Sequence, residues 1–324
     1  MKNASWITGI VLLMLLAINA PASADPNDQI TICSFNIQFL GSSKSRNDEA
    51  LASVVKDCDI VAVQELVAPP NKMKFPDGTD VKPDKEAAEY FAAMAQHGFT
   101  YWLSEEDTGT GEKNHINSSS TEWYVTFYKN EIVEPAEDIP HGFLADDRTD
   151  HPCYERVPYA FSFRTLDHNL DFVLISVHLK PGAGPSERAR RRHELSAISD
   201  WVFRNDDQEK DFIILGDMNI YKTSELERAT PEGFLSLNDE CRDTTTIIKN
   251  DYCYDHIMYR VEFTKEIDTE YDMFVIDLIA AMRPFWDLDT PYPGDPYDHN
   301  EFRKYYSDHH PVMFKITVPE KDDD

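Results

Sequence analysis

Phe212-Ile213-Ile214-Leu215-Gly216-Asp217-Met218-Asn219 reads as a strand that runs straight into a polar turn. Its apolar residues do not alternate with polar ones, the pattern of a strand covered on both faces. A glycine then frees the backbone, and a carboxylate and a carboxamide stand at the strand's end. Ile60-Val61-Ala62-Val63-Gln64-Glu65 repeats the arrangement. Residues 30–35 run into Asn36 and Gln38 in the same way, and residues 172–177 into His178. Tyr254 leads into Asp255-His256, and Ser307-Asp308-His309-His310 precedes the last apolar run, residues 311–318. Polar groups held at the ends of rigid strands form the usual layout of an active site.

Outward from these runs, residues 123–128, 159–164 and 254–259 complete the strand candidates. Helical patterns cover 47–56, 84–97 and 186–203, the last with Leu195, Ile198, Trp201 and Val202 at helical spacing. Short apolar strands alternating with longer helices predict an α/β (α+β) domain of stacked mixed sheets with helices outside. No internal repeat or Gly/Ser linker divides the chain, so one domain is expected over residues 25–324. Residues 69–83 and 286–297 read as irregular, and 321–324 as a charged, frayed tail.

The chain has 324 residues, with 59 Asp and Glu against 31 Lys and Arg and a formal net charge of −28. Its 41 % apolar content suffices for a core and excludes general disorder. Collagen, coiled-coil and basic nucleic-acid-coating classes are excluded as well. So acidic a surface should repel phosphate, unless divalent cations invert the local potential. Residues 1–24 carry a short apolar run, 7–18, followed by the A-x-A pattern at Ala22 and Ala24. The run is too short to span a bilayer as a helix, which takes roughly 20 residues. It reads as a cleaved signal peptide, with a secreted or periplasmic mature chain and no membrane contact after cleavage.

Export permits disulfides. Of the five cysteines, Cys33 and Cys58 read as small core residues, while Cys241 and Cys253 flank a polar stretch that a bridge would staple.

Asn36, Glu65, Asp217, Asn219 and Asp308 are hard oxygen donors, suited to magnesium, manganese or calcium rather than zinc. His178 and His309 could pass protons to and from a phosphate ester. Singly, each has a structural alternative: a cap for Glu65 or Asp308, an Asx turn at Asp217 and Asn219, a satisfied core histidine at 178. Jointly, at the ends of separate strands, they describe metal-assisted hydrolysis of a phosphodiester.

Phe35-Asn36-Ile37-Gln38 followed by Gly41, the 59–65 run ending Gln64-Glu65, Gly216-Asp217-Met218-Asn219, Tyr254-Asp255-His256-Ile257 and Ser307-Asp308-His309-His310-Pro311 resemble the endonuclease/exonuclease/phosphatase superfamily. Glu122-x-Tyr124, Arg156-x-Pro158 and Tyr101-x-x-Ser104-Glu105 resemble its DNase I-like branch. The resemblance implies a four-layer sandwich with two central mixed β-sheets flanked by helices and the site at one end. It implies that Asn36 and Glu65 hold a divalent metal, Mg2+ or Mn2+, with Ca2+ a candidate structural ion. His178 would be one general acid/base, oriented by Glu122, and His309 its counterpart, oriented by Asp255. Asp217, Asn219 and Asp308 would bind the phosphate or a metal and position water, and Arg156 would contact the substrate backbone. Cys241–Cys253 would loosely parallel a structural disulfide of the branch, although Cys241 is not at the family's position just after the GDxN motif.

Three departures stand out. Ser120 occupies the place of a groove-stacking tyrosine, His256 that of an arginine, and the stretch from Asp255 to Asp308 is long. Its Asp287, Asp289, Asp295 and Asp298 lack EF-hand spacing and read as a solvated acidic loop. Arg188, Arg190, Arg191, Arg192 and His193 read as a solvated helix face paired with Glu187 and Glu194, against the alternative of a phosphate-tracking patch. The function expected is a secreted, metal-dependent, low-specificity endonuclease on DNA, with RNA a further candidate substrate and a monomer expected. A phosphoester hydrolase acting on sphingomyelin or inositol phosphates and a non-catalytic binding protein on the same fold are the alternatives.

Overall fold

The computed structural model describes residues 29–42, 46–75, 77–109, 121–146, 152–248, 252–286 and 297–322. The segment read as a signal peptide, Ser120, Asp287, Asp289, Asp295 and the last two residues of the acidic tail lie outside these. In chain order the elements are β1 (Gln29–Leu40), α1 (Asp48–Val54), β2 (Ile60–Leu66), α2 (Lys85–Gln96), β3 (Thr100–Leu103), β4 (Trp123–Tyr128), β5 (Val133–Pro135) and β6 (Gly142–Phe143). Then come β7 (Tyr159–Thr165), β8 (Asp171–His178), α3 (Pro185–Asn205), β9 (Phe212–Asp217), α4 (Thr223–Ala229), β10 (Phe234–Ser236) and β11 (Asp255–Arg260). The chain closes with β12 (Phe274–Val275), α5 (Leu278–Met282), α6 (His299–Tyr305) and β13 (Val312–Thr317).

Two mixed sheets result. One has the order β12-β13-β1-β2-β4-β3, the other β10-β11-β9-β8-β7-β5, with β6 on β7. The unalternating runs are explained by what covers them. Ile60 and Ala62 face the second sheet, among Phe161 and Leu174, while Val61 and Val63 face Leu51, Tyr90 and Met94 of the outer helices. Likewise Ile213 and Leu215 point between the sheets, and Phe212 and Ile214 pack under Leu195, Ile198 and Val202 of α3. Three buried clusters thus separate four layers, as the resemblance implies.

Register positions the site. The parallel pair β8–β9 sets His178 opposite Asp217, and antiparallel β11 sets Asp255 opposite the same residue. In the other sheet, parallel β1 and β2 set Asn36 opposite Gln64. Gly216 has φ +136°, and a Cβ there would stand 2.2 Å from the Val177 carbonyl oxygen. Only glycine lets β9 lie this close to β8 just before the two site residues.

Two readings are corrected. Cys33 and Cys58 are buried, but they form a disulfide, with Cα atoms 6.1 Å apart. Parallel pairing of Ile32 with Ile60 brings the chain just before β2 alongside β1, which no local pattern announces. Cys241–Cys253 is bridged as well (Cα–Cα 4.9 Å), and Cys153 stays outside both bonds. The arginine cluster is also not a uniformly solvated face. Arg191 is wholly buried and pairs with Glu225 of α4, while Glu194 accepts from the backbone N–H groups of Glu155 and Lys180. Asp298 caps α6 through Asn300 N and Glu301 N. No described helix is long and apolar enough to cross a membrane.

Candidate active site

Both histidines are backed by a carboxylate. His178 Nδ1 lies 2.9 Å from Glu122 Oε1, and His309 Nδ1 lies 2.8 Å from Asp255 Oδ2. With Nδ1 engaged, each ring turns Nε2 inward, and both reach the same atom. Asp217 Oδ2 is 3.4 Å from His178 Nε2 and 3.5 Å from His309 Nε2. It also accepts from Asn36 Nδ2 at 2.9 Å, and Asn36 Nδ2 donates to Glu65 Oε1 at 3.0 Å. Asn36 therefore joins the carboxylates of β2 and β9, its own Oδ1 accepting from Gln38 N.

The electrostatics follow from this crowding. Burial opposes the charge on Glu122, but the imidazole of His178 and the guanidinium of Arg156 hold its carboxyl down at about 2. Burial and Arg156 both disfavour a charged His178; Glu122 and Asp217 outweigh them and raise its pKa. Burial likewise opposes charging of His309, yet Asp255, Asp217 and Asp308 push its pKa well above the ordinary range. Glu65 is raised, first by burial and further by Asp308 and Glu122, against the lowering effect of His178.

The remaining residues fall into place around this centre. Asp217 Oδ1 accepts from Asn219 N at 2.8 Å, so the Asx turn exists and leaves Oδ2 for the site. Asn219 Nδ2 donates to the Leu179 carbonyl. Asp308 Oδ2 accepts from Gln38 Nε2 at 2.6 Å. Arg156 is buried, its Nε 2.7 Å from Glu122 Oε1 and its Nη1 donating to the His178 carbonyl, so it braces the Glu122–His178 pair. All ten site residues named from the sequence thus gather in one linked network.

A hard divalent cation fits these donors. Glu65, His178 and Asp217 each offer a ligand atom, all within 4.8 Å of one another. Asp308 Oδ1 and Gln38 Oε1 are buried acceptors without a hydrogen-bond partner among the described residues. Clustered buried carboxylates are costly without a positive charge, and oxygen donors suit magnesium, manganese or calcium.

Sequence reasoning missed the supports. Gln38 and Phe39 both take φ +56°, Glu65 takes +64° and Asn219 +51°, in a region that non-glycine residues seldom occupy. The β1–β2 register slips between Asn36 and Leu40, so a bulge re-aims this strand end, and Phe39 N donates to Glu65 Oε2. Arg46 clamps the bulge from behind: it donates to the carbonyls of Ile37 and Gln38 and sits 2.7 Å from Glu86, which accepts from Gly41 N. Ser307 Oγ donates to the Asn36 carbonyl and accepts from His309 N, and the Tyr124 hydroxyl accepts from His178 N. Gln38, a polar residue inside an apolar strand, is the one signal that pointed here.

His256 is no substitute for a cation. It is fully buried on the far face of β11, its Nδ1 2.9 Å from Ser236 Oγ, and burial lowers its pKa to about 4. Its native pKa lies below the ordinary value of about 6.5, so the unfolded chain binds the proton more readily. Stability is therefore whole above pH 6.5 and is lost as pH falls toward 4. Urea unfolding at pH 7 and pH 5 should show His256→Gln losing about 2 kcal/mol less than the wild type. Parallel losses in both proteins would refute the assignment.

A family model described as Endonuclease/Exonuclease/phosphatase family matches residues 33–309. Human deoxyribonuclease gamma is 24 % identical over 324 residues, covering 94 % of this chain and 90 % of the relative. Among solved structures, Danio rerio TDP2 complexed with a single-strand DNA product superposes with a TM-score of 0.53 at 13 % identity, covering 89 % and 98 % of the two chains. A mannosyl-6-phosphatase from Bacteroides thetaiotaomicron gives 0.52 at 15 %, covering 88 % and 98 %.

Proposed function

The chain belongs to the endonuclease/exonuclease/phosphatase family, and from that premise we propose that it is an exported, divalent-metal-dependent endonuclease that hydrolyses DNA with little sequence preference. One observation carries the reading: two carboxylate-backed imidazoles aim Nε2 at one point, beside a cluster of oxygen donors. A phosphodiester placed there has a proton acceptor on one side and a proton donor on the other. One histidine takes the proton of the attacking water, and the other delivers a proton to the leaving ester oxygen. Glu122 and Asp255 fix the tautomers and stabilise the imidazolium form as each ring is charged. Arg156, held by Glu122 and the His178 carbonyl, presents its guanidinium to a non-bridging phosphate oxygen. Mg2+ or Mn2+ held by Glu65, Asp217 and Asp308 would polarise the phosphoryl group.

Several features of the chain support DNA over a small ester. Deoxyribonuclease gamma is its relative over nearly the full length, and Arg156-x-Pro158 and the residues after Phe35 match the DNase I-like pattern. The test is nicking of supercoiled plasmid by the mature protein with Mg2+, with EDTA and with His178→Ala. Nicking that needs Mg2+ and disappears in the variant is expected. Release of phosphocholine from sphingomyelin, or of phosphate from inositol phosphates, with plasmid untouched, would replace the reading with the other hydrolase class.

A further inference from the structure

A second charged feature lies beside the catalytic end. The loops that leave His178 and Asp217 lead directly into α3 and α4, and between these helices is a cleft of about 280 Å³ lined by Arg188, Arg192, Lys222, Ser224 and Arg228. Glu225 is the one carboxylate in its wall, and the buried Arg191 neutralises it through Nε at 2.9 Å. Arg192, Lys222 and Arg228 are exposed. None takes a carboxylate or hydrogen-bond partner among the described residues, although the chain has 59 acidic residues against 31 basic ones. On so acidic a molecule, unpaired cations converging on a concave surface mark a place kept for an anion.

The cleft is joined to the centre by side chains in contact. His309 lies 5.7 Å from the ring of Tyr254, Tyr254 lies 4.9 Å from Tyr221, and the Arg191 guanidinium lies 5.5 Å over Tyr221. The path ends on the buried Arg191, whose Nε and Nη2 both donate to Glu225 in the cleft wall.

We infer that the α3–α4 cleft, through Arg192, Lys222 and Arg228, binds backbone phosphates of the nucleic acid outside the scissile diester. The inference rests on the nuclease reading for its ligand, because a polyanion that reaches the centre continues past it. It explains how a chain of net charge −28 holds DNA: the attraction is local and modest, and the rest of the surface favours release.

The test compares the wild type with Arg192→Gln/Arg228→Gln. Binding of a fluorescein-labelled duplex is followed by anisotropy in EDTA, so that no turnover intervenes. The double variant should bind about tenfold more weakly at low salt, and its slope of log affinity against log salt should shrink by about two. Its hydrolysis of bis(p-nitrophenyl) phosphate, too small to reach the cleft, should stay at the wild-type rate. An unchanged slope and affinity overturn the inference, as does displacement of the duplex by millimolar inorganic phosphate at matched ionic strength. Plasmid cleavage by the wild type with an unchanged slope in the variant removes the cleft alone. A reduced slope without any cleavage removes the nuclease reading and leaves the cleft as a phosphate-binding site.

Discussion

Replacing His309 by alanine should lower kcat for phosphodiester hydrolysis by about 10²–10⁴-fold, the usual worth of a positioned general acid or base. The ring is held from both ends. Asp255 Oδ2 is 2.8 Å from Nδ1, His309 N donates to Ser307 Oγ, and Nε2 stands 3.5 Å from Asp217 Oδ2. Alanine leaves that backbone bond in place, so the folded protein should persist, with unchanged far-ultraviolet dichroism as the check. Asp255→Asn is the sharper companion. It keeps the shape but presents an N–H toward Nδ1, favouring the wrong tautomer, and should approach the loss of His309→Ala. Because the two residues act as one unit, the double variant should be little worse than either. A His309→Ala enzyme within tenfold of the wild type would refute the role assigned to the ring.

Glu65→Gln should reduce kcat/KM about 10³-fold, equivalent to the several kcal/mol of charge stabilisation that a divalent ion supplies to a phosphoryl group. The substitution is isosteric and Asn36 Nδ2 can still donate to Oε1, although the amide nitrogen that replaces Oε2 no longer accepts from Phe39 N. What disappears is one negative charge from a buried group that also holds Asp217, Asp308 and Glu122. A readout independent of turnover accompanies the prediction. Saturating Mg2+ should raise the wild-type Tm by several degrees through mass action on the native state, and that rise should vanish in Glu65→Gln. A full Mg2+-induced rise in the variant would show that the ion is held elsewhere.

Much of this centre was legible because catalytic residues sit where strands end, and buried strands have an unmistakable composition. The run 123–128 has the same bounds in the structure, and the runs at 30, 60, 159, 172 and 212 each begin within a residue of the observed strand. Strands of two to four residues, such as Thr100–Leu103 and Phe274–Val275, and the short helices Thr223–Ala229 and His299–Tyr305 escaped, because so few turns or pleats carry little periodicity. The acidic stretch 286–297 lies almost entirely outside the described residues.

The sequence by itself determined the class of fold, the order of its principal strands and the identity of the acids, amides and histidines at their ends. These depend on local composition: which runs are apolar on both faces, and which residue follows each. Only the tertiary structure decided how those ends meet. It set His178 and Asp255 on either side of Asp217, closed Cys33 on Cys58, buried Arg191 against Glu225, and bent the ends of β1, β2 and β9 through the positive-φ residues Gln38, Phe39, Glu65 and Asn219. Each of these joins segments far apart in the chain, Asn36 and Ser307 being 271 positions apart. Their energy comes from desolvated charges finding partners across the sandwich, which neither a window of neighbours nor a net charge of −28 can express.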